Sequence, residues 1–178
     1  MVLDDKLISL ADRTASYLQE EHGVSLPMIL REATLGTMVS FIALIVTSFM
    51  DGHKIAGYFL LLPVLWSLIQ LYTWFKGFAR DAEQGWSDGL SNRYIREAQK
   101  QRIAYGFARV IFFIGFSMAF GSFVMNMIHG KPLTIYGASH ALSLMLLTSL
   151  FYLRCALPKP PGRRRTKQLI PAFSGSAG

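Results

Sequence analysis

The sequence predicts an all-α polytopic membrane protein: four transmembrane helices arranged as two hairpins, preceded by an N-terminal cytoplasmic amphipathic helix. Of the 178 residues, 52% are hydrophobic and 16% are charged, which is typical of membrane proteins. Residues 103–128 contain one charge in 26 positions, and about 20 apolar residues are enough to span a bilayer as a helix. Lys and Arg are concentrated outside the apolar runs, as the flanks of membrane spans require.

Residues 1–32 are predicted to form a cytoplasmic helical segment. Leu7, Ala11, Ala15 and Leu18 share one helical stripe, Asp4 or Asp5 can cap the start, and Gly23 can end the helix. The segment has six acidic and three basic residues, whereas membrane-surface helices are usually rich in Lys and Arg. We therefore expect residues 1–21 to dock on protein, either the inner loop of the same chain or a partner subunit.

The first transmembrane hairpin is predicted at residues 33–75. Ser25 and Pro27 form a helix start, and the helix should run from there into a span at 33–50. After a tight turn at 51–54, a second span at 55–75 contains Pro63, which removes a backbone hydrogen bond. The first span carries small residues at i, i+4, i+7 and i+11, a spacing that predicts a helix-packing stripe: Gly36, Ser40, Ala43 and Thr47.

Ser67 and Gln70 form an intramembrane polar pair in the second span. A polar amide inside a membrane needs a hydrogen-bond partner, so Gln70 is expected to contact another helix. The alternative is that the pair lines a solute pathway.

The residues 76–102 are predicted to be a basic cytoplasmic loop and helix, with six Lys/Arg and four acidic residues. Ser91 should cap a helix that continues unbroken into the third span.

The second transmembrane hairpin is predicted at residues 103–153, with spans at 103–128 and 135–153. The third span repeats the small-residue spacing and should present a second packing stripe, while its phenylalanines face lipid or outer neighbours. The stripe consists of Gly115, Ala119, Ser122 and Asn126.

Arg109 is the one charge within the third span. It lies in the first two turns, so its long side chain is expected to reach the lipid headgroups. The alternative is a role inside the membrane, in ion pairing or gating.

The distribution of positive charge predicts the orientation. Three Lys/Arg precede the first span, six separate the second and third spans, and six follow residue 153, whereas each hairpin turn contains one. The positive-inside rule places both termini and the 76–102 loop in the cytoplasm. The basic, Pro-rich tail at 154–178 is expected to bind anionic lipids rather than a specific nucleic acid, through Arg163, Arg164 and Arg165.

The sequence contains no pattern that predicts catalysis or a cofactor. A single cysteine, Cys155, excludes an internal disulfide and any metal cluster that needs several cysteines. His53, His129 and His140 lie near the predicted outer face and are the only candidates for a metal or haem site, but they form no ligand pair at helical spacing.

These patterns predict a non-catalytic subunit, accessory protein or scaffold of a larger inner-membrane assembly, such as a secretion, transfer or respiratory complex. Its partners would be other membrane-protein subunits, contacted through residues 1–21 and the small-residue stripes. The alternative is a small transporter or holin-like pore, acting as a homo-oligomer. Compact loops and the basic tail favour a bacterial inner membrane.

Overall fold

The computed structural model describes residues 2–51, 54–130 and 134–160, without the side chains of residues 54–57, 59 and 60. The described residues form helices and no strand, which confirms the all-helical prediction for this part of the chain. The helices are α1 (Val2–Glu21), α2 (Leu26–Met50), α3 (Lys54–Gln84), α4 (Asp88–Ala104), α5 (Gly106–Ile128) and α6 (Ile135–Leu153).

Three helices among the described residues are long and apolar enough to cross a membrane: α2, α5 and α6. Each has at least 19 residues, and about 20 are needed at 1.5 Å rise per residue. The structure is therefore compatible with an integral membrane protein.

The long helices pack in the spatial order α3, α2, α6, α5. α2 and α6 form the centre, α3 packs on the other side of α2, and α5 packs on the other side of α6. Helix α1 lies across the end of α6 and also touches α2 and α5. The core between the helices is apolar and includes Leu30, Phe41, Leu71 and Leu150.

Helix α2 begins where the sequence predicts. Ser25 is the N-cap with an extended backbone, and Pro27 lies in the first turn. N–H groups in the first turn have no intrahelical acceptor, so proline loses no hydrogen bond at this position. The backbone carbonyl of Ser25 accepts the first helical hydrogen bond from Ile29 at 3.1 Å. The helix thus contains the predicted span and seven further residues before it.

One end of the molecule, called the tip here, joins the end of α2 to the start of α6. The Asp51 carboxylate, just past α2, accepts a hydrogen bond from the backbone N–H of Tyr136 at 2.8 Å. Thr134 caps the same helix, since its hydroxyl accepts from Gly137 N–H at 3.1 Å. The N–H groups in the first turn of α6, which have no intrahelical acceptors, and the positive dipole end of this helix are therefore stabilised partly by the residue that follows α2.

The connection between α3 and α5 differs from the prediction in two ways. Ser87, not Ser91, caps α4, and its hydroxyl accepts from Leu90 N–H at 3.2 Å. The predicted unbroken helix into the third span is wrong, because α4 ends at Ala104 and α5 starts at Gly106. Tyr105 between them has φ −110° and ψ 15°, outside the usual helical values.

For helices α1 and α3, the predicted ends agree with the structure only in part. Gly23 follows α1 with φ 64°, a left-handed conformation that favours glycine, so the predicted stop is confirmed. The predicted cap at Asp4 or Asp5 is wrong, because α1 is already helical at Val2. Helix α3 passes the predicted end at residue 75 and continues to Gln84, before Gly85 at φ 75°.

Candidate functional site

A polar cluster lies at the end of the molecule opposite the tip, called the base here, where α4 meets α5 and α6 ends. Its centre is Arg109, in the first turn of α5 and only 1% exposed. An always-charged guanidinium excluded from water requires compensation by hydrogen bonds and an opposite charge. The contacts of Arg109 provide both.

The Arg109 guanidinium finds an acceptor for each of its N–H donors. Nε and Nη2 bind the two oxygens of Asp4 at 3.2 and 2.8 Å, a two-point ion pair between α5 and α1. Nη2 also donates to the carbonyl of Arg102 at 3.1 Å, and Nη1 donates to the carbonyl of Gln101 and to the sulfur of Cys155. A guanidinium has five N–H donors, so this side chain is fully engaged.

These contacts explain the break between α4 and α5. The last carbonyl groups of a helix have no intrahelical donor and need other partners. The carbonyls of Gln101 and Arg102 belong to the last turn of α4. Gln101 still accepts from the backbone N–H of Tyr105 at 3.3 Å, and the Arg109 guanidinium donates to both carbonyls. Arg109 thus stabilises the end of α4 from the first turn of α5, instead of reaching the lipid headgroups as expected from the sequence.

Asp4 links three helices. Besides binding Arg109 of α5, its carboxylate accepts a hydrogen bond from the hydroxyl of Tyr152 in α6 at 3.0 Å. The hydrogen bonds from Arg109 lower the pKa of the Asp4 carboxyl below its usual value, against the opposing effect of burial. Asp4 therefore remains ionised near neutral pH.

Asp12 makes a second connection between α1 and the base. Its carboxylate binds the Arg102 guanidinium at 2.6 Å and accepts from the backbone N–H of Leu157 at 2.9 Å. Arg102 also donates to the carbonyl of Cys155 at 3.0 Å. The segment after α6 is thereby held between α1 and the end of α4.

The last turns of α1 hold the same segment at a third place. The Gln19 side chain is fully buried, accepts from Lys159 N–H at 2.7 Å and approaches the Leu157 carbonyl at 3.5 Å. Glu20 pairs with the Lys159 ammonium at 2.8 Å. We call this set of contacts the α1 docking site: Asp4, Asp12, Gln19 and Glu20 of α1, and Arg102, Arg109, Tyr152, Leu157 and Lys159 opposite them.

Sequence analysis identified Arg109 but none of its partners on α1. A signal is present in the spacing, because Asp4, Asp12 and Gln19 are separated by eight and seven residues and so lie on one helical face. Arg102 and Arg109 are also seven residues apart. The polar face of α1 could have indicated a docking surface, but the spacing of Arg102 and Arg109 could not, because these two residues belong to different helices.

A second polar cluster joins α3 to α4. The hydroxyl of Tyr94 donates to buried Asp81 at 2.8 Å, and Arg93 pairs with the same carboxylate at 3.4 Å. Burial, and then the hydrogen bond to Asp81, raise the pKa of the Tyr94 phenol. A cavity of about 240 Å³ lies beside this cluster, and the Arg154 guanidinium stacks over Trp74 at its edge, 3.9 Å from the ring centre. Burial lowers the pKa of Arg154.

The two predicted packing stripes have different environments. On α2, Ser40 and Thr47 are buried, and Ser143 of α6 donates to the carbonyl of Ser40 at 3.0 Å. A side-chain atom added at Gly36 would meet nothing within 4 Å, and Ala43 is half-buried. The α2 stripe therefore faces α6 in part, without close backbone approach at Gly36.

On α5, the stripe is largely unused within the chain. Ser122 is exposed, Ala119 and Asn126 are half-buried, and an atom added at Gly115 meets nothing within 4 Å. One contact with α6 is made by a phenylalanine, because Phe112 stacks on Phe151 with ring centres 5.1 Å apart, whereas Phe120 is exposed. This differs from the expectation that the phenylalanines point away from the chain.

The polar pair of α3 also points away from the described helices. Gln70 is exposed, and the half-buried Ser67 donates to the carbonyl of Pro63 at 2.8 Å. Among the described residues, neither side chain makes a hydrogen bond to another helix.

The histidine candidates do not come together in the described part of the chain. The His129 ring lies 2.7 Å from the carbonyl of Met125, and His140 stacks on Tyr136 with ring centres 6.0 Å apart. Among the described residues, no group of three or more His, Cys, Asp or Glu is placed to bind a metal ion. His53 lies outside the described residues, as do Arg163, Arg164 and Arg165.

Comparison of the chain with known protein families, curated proteins and solved structures finds no match. The functional argument therefore depends on the chain's own geometry.

Proposed function

We propose that this chain is an integral membrane protein in which α2, α3, α5 and α6 are four spans forming two hairpins. Helix α3 has 31 residues, or about 46 Å at 1.5 Å per residue, which exceeds a hydrocarbon core of about 30 Å. It packs along α2, which is itself apolar and long enough to span. The last residues of α3, which contain Lys76, Arg80 and Asp81, would then extend beyond the membrane.

We further propose that the base is cytoplasmic and the tip faces the other side, in a bacterial inner membrane. The support is the charge distribution, because the Lys/Arg-rich segment 76–102 and the start of the Lys/Arg-rich segment 154–178 both adjoin the base. Arg163, Arg164 and Arg165 would then lie near anionic headgroups of the inner leaflet.

Our proposed function is that of a non-catalytic subunit, accessory protein or scaffold in a larger membrane assembly. The observation that supports it most directly is the environment of α5: of its 23 residues, Arg109 alone is buried. The small or polar residues Gly115, Ser122 and Asn126 of this edge helix are not buried within the chain. Such residues drive association between membrane helices.

The opposite edge of the molecule supports the same proposal. Gln70 is exposed on α3, and an amide facing lipid lacks the hydrogen bond that a neighbouring helix would provide. Both edge helices thus present polar groups suited to contacts with other subunits. The transporter or pore alternative has weaker support, because Arg109 is fully engaged in structural hydrogen bonds.

The test is the native mass and composition of the complex extracted in mild detergent. Two glycines of α5 make a matched pair, since an added Cβ meets nothing within 4 Å at either one. Gly115 lies on the stripe, and Gly121 lies about 120° away on the helix. Gly115→Leu should remove co-purifying subunits, whereas Gly121→Leu should retain them. Purification of the unmodified chain as a monomer, or equal effects of both variants, would argue against the proposal.

A further inference from the structure

The cavity beside Asp81 and Tyr94 contains two opposite charges without partners. Its volume is about 240 Å³, and its walls come from α2, α3, α4 and the residue that follows α6. Asp81 itself is bound by Tyr94 and Arg93. Arg154 and Glu97 also line the cavity, but neither side chain forms a hydrogen bond or an ion pair with a residue that the structure describes. The cavity therefore offers one cation and one anion to a ligand.

Gln101 adds an amide to the same cavity. The residue is only 6% exposed, and its side chain forms no hydrogen bond within the described part of the chain. Its amide atoms are not completely enclosed, because the Thr148 hydroxyl is the one fully enclosed side-chain N or O atom without a partner among the described residues. A buried amide without a hydrogen bond is unfavourable. Since Gln101 lines the cavity, a ligand there can provide the missing bond.

The Arg154 guanidinium is held in place without using its donors. It lies over the ring of Trp74, 3.9 Å from the ring centre, and this cation–π contact engages one face of the guanidinium. The five N–H donors at its edge stay free for hydrogen bonds. Their planar, forked arrangement matches the oxygens of a phosphate or a carboxylate.

Glu97 lies near Arg154 but does not neutralise it by direct contact. Burial lowers the pKa of Arg154, and the charge of Glu97 acts in the opposite direction, yet the two side chains are not among the ion pairs of the described residues. With Arg93 and Asp81 included, the cavity walls carry two positive and two negative charges. A ligand with one charge of each sign keeps this balance, whereas a simple anion leaves one charge uncompensated.

We propose that this cavity binds the headgroup of phosphatidylethanolamine, with the phosphate on Arg154 and the primary ammonium on Glu97. The inference rests on the proposed membrane location. Arg154 directly follows α6, Leu30 lies in the second turn of α2, and Trp74 lies next to the predicted end of the second span. The cavity is thus at the base-side boundary of three proposed spans, where lipid headgroups lie and where Trp and basic residues are enriched.

The size and chemistry of the cavity distinguish this ligand from others. A cavity of about 150 Å³ holds one benzene molecule, so 240 Å³ accommodates a headgroup, whereas a helix about 10–12 Å wide does not enter. Phosphatidylcholine has methyl groups in place of the ammonium N–H donors and cannot donate a hydrogen bond to Glu97. Phosphatidylglycerol has no cationic group. Free phosphoethanolamine has both charges but no acyl chains to hold it in the membrane.

The experiment measures lipid binding to the full chain in detergent by native mass spectrometry. Phosphatidylethanolamine, phosphatidylcholine and phosphatidylglycerol with identical acyl chains are added in turn. We expect one bound phosphatidylethanolamine, with an affinity about tenfold or more above that of the other two lipids. Equal affinities would overturn the proposal, and tighter binding of phosphatidylglycerol would replace it with a simple anion site. Competition by free phosphoethanolamine at equal concentration would identify a soluble ligand and overturn the lipid assignment.

Two charge substitutions have matched controls. Arg154→Gln should lower the affinity for phosphatidylethanolamine about tenfold or more, whereas Arg96→Gln, which removes an exposed guanidinium of α4 outside the cavity, should not. Glu97→Gln should remove most of the preference over phosphatidylcholine, whereas Glu83→Gln on the exposed surface of α3 should retain it. Equal effects within either pair would overturn the assigned contacts.

A third pair of variants fills space instead of removing charge. Gly77 lines the cavity and Gly36 does not, and an added Cβ meets nothing within 4 Å at either residue. Gly77→Leu should therefore abolish the preference for phosphatidylethanolamine, whereas Gly36→Leu should retain it. An unchanged preference in Gly77→Leu would overturn the location of the site.

Extraction of membranes with alkaline carbonate separates this proposal from the membrane location on which it rests. Release of the chain would contradict both. A chain that is retained in the membrane but shows no preference for phosphatidylethanolamine would contradict only the headgroup site.

Discussion

Arg109 remains charged at any physiological pH, so the free energy of keeping it buried depends on its partners. Asp4 neutralises the charge, and backbone carbonyls of α4 satisfy the remaining donors together with Cys155. Removal of one member of a buried ion pair typically leaves an uncompensated charge, which costs far more than the pair itself contributes. The stability of the base should therefore be sensitive to Asp4.

Asp4→Asn is predicted to destabilise the protein. The change keeps the size of the side chain but removes the charge opposite Arg109, and the free energy of unfolding should fall by about 3 kcal/mol. Denaturant unfolding in detergent, followed by tryptophan fluorescence, measures it. Asp5→Asn is the control, because Asp5 is exposed on the same helix. An equal loss in both variants would contradict the proposed importance of the Asp4–Arg109 pair.

The same variant gives a prediction for pH dependence. The pKa of Asp4 is lowered in the folded protein. The ionised carboxylate therefore contributes its full stabilisation at pH values above the pKa of Asp in the unfolded chain, which is about 3.9. This stabilisation is lost as the pH falls through the lower pKa that Asp4 has in the folded protein. The stability difference between the unmodified chain and Asp4→Asn should therefore shrink below about pH 4. A difference that stays constant down to pH 2 would exclude this linkage.

At the scale of residues, the sequence reveals which side chains are unusual but not what they contact. Arg109 stands out as the one charge in a long apolar run. Its partner Asp4 lies 105 residues away, and nothing local to either residue specifies the pairing. Arg109 does not extend out of the fold as expected, because carbonyls at the end of α4 and the carboxylate of Asp4 on α1 accept its hydrogen bonds.

Helix α1 is held to the base mainly by polar contacts at three places along its length: Asp4, Asp12 and the Gln19–Glu20 pair. Its buried residues are few and small apart from Gln19, namely Ala11 and Ala15. Burial of small residues contributes little hydrophobic free energy. Undocking of α1 should thus be controlled by its ion pairs and hydrogen bonds.

Asp12→Ala is predicted to expose Cys155 to thiol reagents. Cys155 is the only cysteine in the chain and is fully buried, and burial raises the pKa of its thiol. Loss of the bonds from Arg102 and Leu157 should increase opening of this region about tenfold or more. The rate of maleimide labelling in detergent measures that opening.

Asp5→Ala is the appropriate control, since it removes an acidic side chain from the same helix without removing a contact of the docking site. Its labelling rate should equal that of the unmodified chain. A labelling rate for Asp12→Ala that matches this control would show that Asp12 does not hold the segment after α6.

At the scale of helices, turn and capping residues predicted several boundaries. Ser25, Pro27 and Gly23 mark the ends that the structure shows, because their backbone preferences are local. The break at Tyr105 could not be predicted in this way. It depends on Arg109 capping α4 from the next helix, a tertiary contact that leaves no signature in local propensity.

The whole molecule places α3 and α5 at its two edges, with α2 and α6 between them. This order makes the edge helices the ones most exposed to lipid or to other subunits. It also makes α3 decisive for topology, because only a spanning α3 brings α4 and the start of α2 to the same side of the membrane.

Cysteine accessibility is predicted to place residues 50 and 89 on opposite sides of the membrane. Met50 is 70% exposed at the end of α2, and Gly89 in α4 is exposed with open space around it. In sealed vesicles of one orientation, an impermeant maleimide should label either Met50→Cys or Gly89→Cys, but not both. Labelling of the buried native Cys155 provides the background. Reaction of both variants from one side would mean that α3 does not cross.

At this scale, composition and charge were enough to predict an all-helical chain with membrane-length helices, as the structure shows for the described residues. The spatial order of the helices could not be predicted from the sequence. Small-residue stripes suggested the contacts, yet α5 packs on α6 through Phe112 rather than through Gly115 and Ser122. In a membrane, stripes of either kind can form an interface, so the pattern alone does not choose between them.

The docking of α1 has a consequence for biosynthesis. Asp4 is synthesised before its partner Tyr152, which follows 148 residues later. At about 5–20 residues per second, this interval lasts roughly 7–30 s on the ribosome. During that time the binding site of α1 is incomplete, because Tyr152 and Lys159 are still missing, and the acidic helix can be held by a chaperone or by another subunit. Closure of the base thus occurs only after α6 and the segment up to Lys159 have been synthesised.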